Sequence, residues 1–336
     1  MGLSFVLAAL SFFTSPLLVS GVAMPVVQNS HRISIQGSVN SVAFSFATYV
    51  APNTYNDTSF KPKQGHVWVH GQGRNGDEMV NTYKNSIGPA VAAGYVAQAS
   101  DVVVLSIVLP NSDDEAKSLF PSVLTWEGNS WMEGADANEA AISSFNVIRS
   151  AFDWLASTYP TITTFALGGH SAVVNPTDSS PNRYIIANPS SVAYFTNERP
   201  NCNTTSTCSS CVAPGYESQC CSKFNDWKTG LDNYPYRYQK SAMTASDKAP
   251  VINRYIARKI HYLYGSADNG GTTNGCAANA QGIGHFDRGQ KWWDYLTRNW
   301  AAVKNTQTKD NIDGVAHDSS GIWTSPKGLQ RVYSSS

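Results

Sequence analysis

Two rhythms of apolar positions alternate along this chain: short runs rich in β-branched and aromatic residues, and longer stretches with an apolar residue every three or four positions. Asp101–Pro110 (DVVVLSIVLP) is apolar almost throughout, as strands covered on both faces of a parallel sheet are. His66–His70 (HVWVH), Thr161–Gly169 (TITTFALGG), Arg183–Pro189 (RYIIANP) and Lys259–Gly265 (KIHYLYG) read as further strands. Ala137–Ser157 puts Ile142, Phe145, Ile148, Phe152 and Leu155 on one helical face, and Pro160 stops it. Helices are also expected around Val251–Arg258 and over Arg288–Lys304, where only one of Trp292 and Trp293 can share the buried face. Strands alternating with helices predict a mostly parallel sheet flanked by helices. No internal repeat interrupts that pattern.

The pattern lapses over about 192–246, which is polar, loop-like and too long for a simple connection. Five of the six cysteines, Cys202, Cys208, Cys211, Cys220 and Cys221, fall there; Cys276 lies far downstream. No second C-x-x-C pair follows and no histidine is near, so disulfides rather than zinc are expected: three bridges, one tying this insertion to the segment after Asp268. The spacing does not fix the pairing. The insertion is read as a cap over the site, within a single domain spanning 24–336.

Composition narrows the classes. Hydrophobic residues make up 42% of the 336 and charged residues 14%, with a formal net charge of zero. That suits a packed globular protein and argues against binding nucleic acid by charge. The first residues, MGLSFVLAALSFFTSPLLVSGVA, read as a signal peptide over 1–23, cut after Ala23 behind small residues. No later run reaches the ~18 apolar residues of a membrane helix, so no stable span is expected after cleavage. Sequons at Asn56 and Asn203 fit a secreted, glycosylated chain.

Chemistry concentrates at strand ends. Ser171 follows the strand Thr161–Gly169 in GGHSA, the front of a nucleophile turn whose preceding glycine relieves a tight strand-to-helix bend. Asp268 follows the strand Lys259–Gly265, and His317 lies near the end of the chain in DGVAHDSSG, in a loop with no further helix expected after it. A hydroxyl nucleophile needs a histidine to take its proton and a carboxylate to orient that histidine, and these three arrive in that order. His70-Gly71-Gln72-Gly73 follows the strand His66–His70 like a loop that supplies an oxyanion-binding N–H; Gly71, Gln72 and Ala172 are the candidates for the oxyanion hole. Arg74 and Asp77 are expected to brace this loop. Asp153 and Asp226 follow no strand. Trp126 and Trp131 are expected to pack their loop onto the body rather than grip a substrate.

From about His66 to Trp323 the chain resembles secreted fungal α/β-hydrolases, through HGQGRNGDE, WEGNSWMEG, ISSFNVIRSAFDWLAS, GGHSA, RYIIANPSS, YLYGSAD and GVAHDSSGIW. The resemblance implies an α/β-hydrolase fold and a serine esterase or lipase-like activity on a small-molecule or lipid-like ester, with Ser171, Asp268 and His317 as its triad and no cofactor or metal.

One departure stands out. Such proteins continue GHSAGG into a long helix, whereas here Val173 replaces a glycine and Asn175-Pro176 follows. Twelve residues separate Ser171 from Tyr184, too few for a helix and its return, so a shortened or irregular stretch from Val173 to Asn182 is expected. A segment absent from the recorded sequence, an inactive descendant that keeps the fold as a binding protein, and a short turn that still presents Ser171 all remain open. A carbohydrate-binding protein, suggested by nine tryptophans, leaves the ordered strand-end residues unexplained.

Overall fold

The computed structural model describes residues 21–171, 183–205, 208–216, 220–272 and 275–334. In chain order the elements are β1 (His31–Val39), β2 (Val42–Ala51), β3 (Gln64–Val69), α1 (Gly76–Ala92), β4 (Val102–Val108), α2 (Glu115–Leu119), α3 (Ser144–Thr158), β5 (Thr164–His170), β6 (Arg183–Ala187), β7 (Asn203–Thr205), β8 (Cys208–Val212), α4 (Lys240–Thr244), α5 (Ala249–Ile256), β9 (Ile260–Gly265), α6 (Cys276–Asn279), α7 (Gly284–Asn299), β10 (Gln307–Ile312), α8 (Ser319–Trp323) and α9 (Pro326–Tyr333).

Eight strands form one sheet in the order β1-β2-β4-β3-β5-β6-β9-β10. The β1–β2 and β2–β4 pairs are antiparallel, and every other pair is parallel. Each parallel strand therefore ends at the same edge, and the connections after β3, β5, β9 and β10 gather there. The central strands β3 and β4 are buried along their length. Alternate side chains pack against α3 and α7 on one face, with Phe145, Ile148 and Leu296 in that layer. The other face packs against α1, α8 and α9 through Met79, Trp323 and Val332.

The structure moves several expected boundaries for identifiable reasons. α3 starts at Ser144 rather than Ala137, because the Ser143 hydroxyl accepts the Phe145 N–H while the Asn146 side chain accepts the Ser143 N–H. α7 starts at Gly284 rather than Arg288, and the Asp287 carboxylate accepts the Ile283 N–H at its start. The loop carrying His317 is followed by two helices, contrary to expectation: Asp318 caps α8, and Ser325 with Pro326 opens α9.

Trp126 and Trp131 are fully buried, as expected for residues pinning their loop. Trp292 is buried and Trp293 only half-buried. Arg74 does not brace the glycine loop with its side chain. Its guanidinium forms a buried bidentate pair with Asp114 (2.7 and 3.1 Å), while its N–H donates to the Gly71 carbonyl. Asp77 sits in the first turn of α1 and, among the described residues, is not bonded to that loop.

In the cysteine-rich insertion β7 and β8 form a small antiparallel hairpin. Cys202 pairs with Cys211, and Cys221 pairs with Cys276, the expected tie to the segment after Asp268. The insertion is fastened to the body through Glu133: the Trp227 indole donates to its carbonyl (2.9 Å), the Tyr236 hydroxyl to its carboxylate (2.7 Å), and Lys228 pairs with it (2.9 Å). Among the described residues no helix is long and apolar enough to cross a membrane.

Candidate active site

Ser171 is the first residue beyond β5 and has a left-handed backbone, φ +66°. A non-glycine residue rarely adopts that conformation and does so where its surroundings impose it. Here the Ser171 N–H donates to the Ala187 carbonyl at the end of β6, and its own carbonyl accepts the Ser190 N–H, both at 3.0 Å. The turn is thus stitched to the neighbouring strand on both sides. Ala172 and the stretch Val173–Asn182, including the expected shortened segment, lie outside the described residues.

Asp268 is buried three residues beyond β9. His317 Nδ1 donates to its Oδ2 at 2.6 Å. A second histidine, which the sequence reading missed, occupies the other oxygen: His285 Nδ1 lies 3.0 Å from Oδ1, and the Gly270 N–H also reaches Oδ1 at 3.3 Å. Burial alone raises the Asp268 pKa, but the hydrogen bonds from His285 and His317 outweigh it and hold the carboxyl well below the usual range. Asp268 is therefore an anion at neutral pH. The three side chains lie close enough to surround a cation. Both Nδ1 atoms are already committed to the carboxylate, so an ion would have to displace both hydrogen bonds.

The loop bearing His317 is held onto the sheet by Asn188, which is fully buried. Its amide donates to the Ala316 carbonyl (3.1 Å), while its oxygen accepts the Gly265 N–H (2.8 Å). Gly265 permits this approach, since a Cβ there would sit 2.7 Å from the Ala316 carbonyl oxygen. The His170 ring packs against His317 at a tilt of 47°, with ring centroids 4.5 Å apart. Burial, then the neighbouring His317, lowers the His170 pKa to about 3, so its ring is neutral.

The glycine loop lies against the serine turn. A Cβ on Gly71 would stand 3.4 Å from the Ser171 Cβ and 3.3 Å from the His170 carbonyl oxygen. His70 orients this loop. Its Nε2 accepts the Leu109 N–H (3.0 Å), so the ring proton sits on Nδ1 and is donated to the Gly71 carbonyl (2.9 Å). In a trans peptide the N–H points opposite to the carbonyl, so the Gln72 N–H faces away from His70.

Arg288, another residue the sequence reading did not single out, ties the remaining loops together. It donates to the carbonyls of Ser190 (2.7 Å), Gly271 (2.6 Å) and Ala278 (3.0 Å), and to the Asn279 side chain (2.9 Å). Gly71, Ser171, Asp268 and His317 all lie on loops at this sheet edge. Among the described residues the Ser171 hydroxyl makes no hydrogen bond to His317.

No protein-family model and no curated protein sequence matches this chain. Solved structures do. A poly(3-hydroxybutyrate) depolymerase from Bordetella parapertussis superposes with a TM-score of 0.52 at 15% identity, over 87% of this chain and 86% of its own. A siderophore hydrolase from Aspergillus nidulans gives 0.47 at 12% identity, over 91% and 94%. An S-formylglutathione hydrolase from Agrobacterium tumefaciens gives 0.44 at 14%, over 91% and 97%. The sheet order and the first of these likenesses establish the α/β-hydrolase fold.

Proposed function

We propose that this chain is a secreted serine hydrolase of carboxylic esters, with Ser171, His317 and Asp268 as its triad. The observation that carries the reading is the 2.6 Å His317–Asp268 bond, with the His317 ring 4.5 Å from that of His170, the residue before Ser171. With Nδ1 committed to Asp268, His317 offers Nε2 to the Ser171 hydroxyl. Ser171 Oγ attacks the ester carbonyl as Nε2 takes its proton. The backbone N–H groups of Gln72 or Gly71 and of Ala172 receive the oxyanion. Nε2 then returns the proton to the departing alcohol oxygen, and water releases the acyl group from Ser171 by the same steps.

Secretion is part of the proposal. The Met24 N–H lies 2.6 Å from the Glu115 carboxylate, so cleavage after Ala23 would turn that bond into an ammonium–carboxylate pair. The sequon residues Asn56 and Asn203 are exposed. N-terminal sequencing of the exported protein is expected to begin at Met24.

A fluorophosphonate probe is the direct test of catalysis. The mature protein is expected to be labelled at Ser171, and Ser171→Ala to abolish both labelling and hydrolysis of short esters. The missing Ser171–His317 hydrogen bond favours a second reading, an inactive α/β-hydrolase-fold binding protein. An unlabelled protein that retains ligand affinity in Ser171→Ala would establish that reading instead.

A further inference from the structure

The turn Ser130–Glu133, a 3-10 segment between β4 and α3, touches three separate parts of the molecule. A 3-10 helix completes a turn in three residues, so consecutive side chains leave it in three directions. Trp131 enters the body, where it is fully buried against His70. Met132 lines a cavity of about 110 Å³ whose walls also include Leu231 and Met243 of the insertion. Glu133 meets the insertion itself. Its carbonyl accepts the Trp227 indole N–H (2.9 Å), one carboxylate oxygen accepts the Tyr236 hydroxyl (2.7 Å), and the other pairs with Lys228 (2.9 Å).

Trp131 packs on the support of the glycine loop. The His70 ring is bonded at both nitrogens, accepting the Leu109 N–H at Nε2 and donating from Nδ1 to the Gly71 carbonyl. Those two bonds hold the ring within its own plane, and its tilt is set by what packs beside it. Trp131 packs there at 75°, with ring centroids 4.5 Å apart. A tilt of His70 would carry the Gly71 carbonyl with it, and with that carbonyl the Gln72 N–H of the same rigid peptide plane. The turn has two holds of its own. On the body side the Trp131 carbonyl accepts the Ser144 hydroxyl (2.6 Å) at the start of α3. On the other side Met132 faces the cavity, which offers few atoms to pack against, so the contacts at Glu133 supply the hold. Two of these go to a carboxylate, which makes them stronger than neutral hydrogen bonds.

We propose that Trp131 is a positioning residue for the oxyanion hole, which carries the docked position of the insertion from Glu133 to His70 and so to the Gln72 N–H. Insertion and oxyanion loop then act together, and an ester is turned over at full rate only while the insertion is seated on Glu133. The effect on rate rests on the ester-hydrolase reading; the linkage itself does not. Tyr236→Phe removes one bond to Glu133 and keeps the ring. It is expected to lower kcat about threefold to tenfold, with KM changed less than about twofold. The preference for an ester over its thionoester should fall with it, because sulfur accepts hydrogen bonds poorly and the preference reports the oxyanion donors. Glu133→Gln, which still offers an oxygen to Tyr236, should keep more of both than Glu133→Ala. In a Trp131→Phe background, Tyr236→Phe should have little further effect, whereas independent sites would add. A Tyr236→Phe protein with a lower melting temperature but an unchanged ester-to-thionoester preference overturns the proposal, and so do additive effects in the double variant. The linkage is read without turnover by nuclear magnetic resonance on the Ser171→Ala protein. There Tyr236→Phe is expected to move the His70 Nδ1 proton resonance, and to leave it in place once Trp131→Phe is present. An unmoved resonance overturns the proposal even in an active enzyme. A resonance that moves in a protein no fluorophosphonate labels keeps the linkage and rejects the hydrolase reading instead.

Discussion

His285 and His317 lie with their rings 4.4 Å apart, each bound to a different oxygen of Asp268. The carboxylate is therefore clamped from two sides, and the histidine proposed as base faces a partner that cannot swing away. Removing the second clamp should cost the chemical step more than substrate binding. A hydrogen bond to a charged group is worth about 1.5–3 kcal/mol. His285→Leu is expected to lower kcat by roughly tenfold or more, with KM changed less than about twofold. Loss of the donor also lets the Asp268 pKa rise, so the low-pH loss of its ionised form begins at a higher pH. His285→Gln, which can restore a donor, should recover part of both effects. Steady-state kinetics over pH check this; an unshifted profile with only a lower melting temperature would reduce His285 to a packing residue.

The glycine loop makes a second test. A Cβ at Gly71 falls 3.3 Å from the His170 carbonyl oxygen and 3.4 Å from the Ser171 Cβ, close enough that the serine turn must shift by a few tenths of an ångström. Misplacement of about an ångström costs on the order of 100-fold in rate. Gly71→Ala is expected to lower kcat severalfold and Gly71→Val by roughly 100-fold, with melting temperatures nearly unchanged. If Gly71→Val were as active as wild type, the loop would have no part in holding the oxyanion.

The sequence made this edge readable where function depends on order along the chain. Ser171 and Asp268 each follow a strand whose apolar run is visible, and Gly71 follows another; His317 follows β10, which carries no such run. His285 escaped because it belongs to the first turn of a helix, in GIGHFDRG, where nothing in local pattern marks a histidine that must face a carboxylate seventeen positions earlier. Asn188 and Arg288 escaped for the same reason: most of their partners are backbone groups of other loops. β10 (QTKDNI) is polar because it is an edge strand, so hydropathy could not reveal it. The two last helices were legible and overlooked, since Asp318 and the Ser325-Pro326 pair are ordinary helix-start signals.

Four of the five buried histidines set a pH dependence of stability. Burial lowers the pKa of His70 to about 4 and of His170 and His261 to about 3, and pushes that of His66 well below its ordinary value. In the unfolded chain each takes a proton near pH ~6.5. The unfolded state thus binds more protons across the window between about 6.5 and 4, and stability falls as pH falls through it. Each group contributes up to about 1.4 kcal/mol per pH unit there. Asp268 does not offset this: its depressed pKa adds stability above pH ~4 and loses it only below. The melting temperature is expected to drop steeply between pH 7 and 5, and His261→Asn, which can keep a bond to Thr308, should flatten the slope. A flat profile down to pH 5 would contradict the buried neutral state of these rings.

The Cys221–Cys276 bridge joins the insertion to α6, and its effect should reach Ser171 through a chain of contacts. Asn279, in α6, receives a bond from Arg288; Arg288 also holds the Ser190 carbonyl; and the Ser190 N–H binds the Ser171 carbonyl. The bridge closes a separation of 55 residues, for which the chain-entropy account gives roughly 4 kcal/mol. Cys221→Ser with Cys276→Ser is expected to lose that order of stability in urea unfolding, and to raise KM while the Cys202–Cys211 bridge stays intact. The rise in KM separates this route from general loosening: removing Cys202–Cys211 instead, a bridge of nine residues within the insertion, should leave KM nearly unchanged. Equal effects of the two removals on KM would mean that the insertion acts as one unit and that the Arg288 chain transmits nothing of its own.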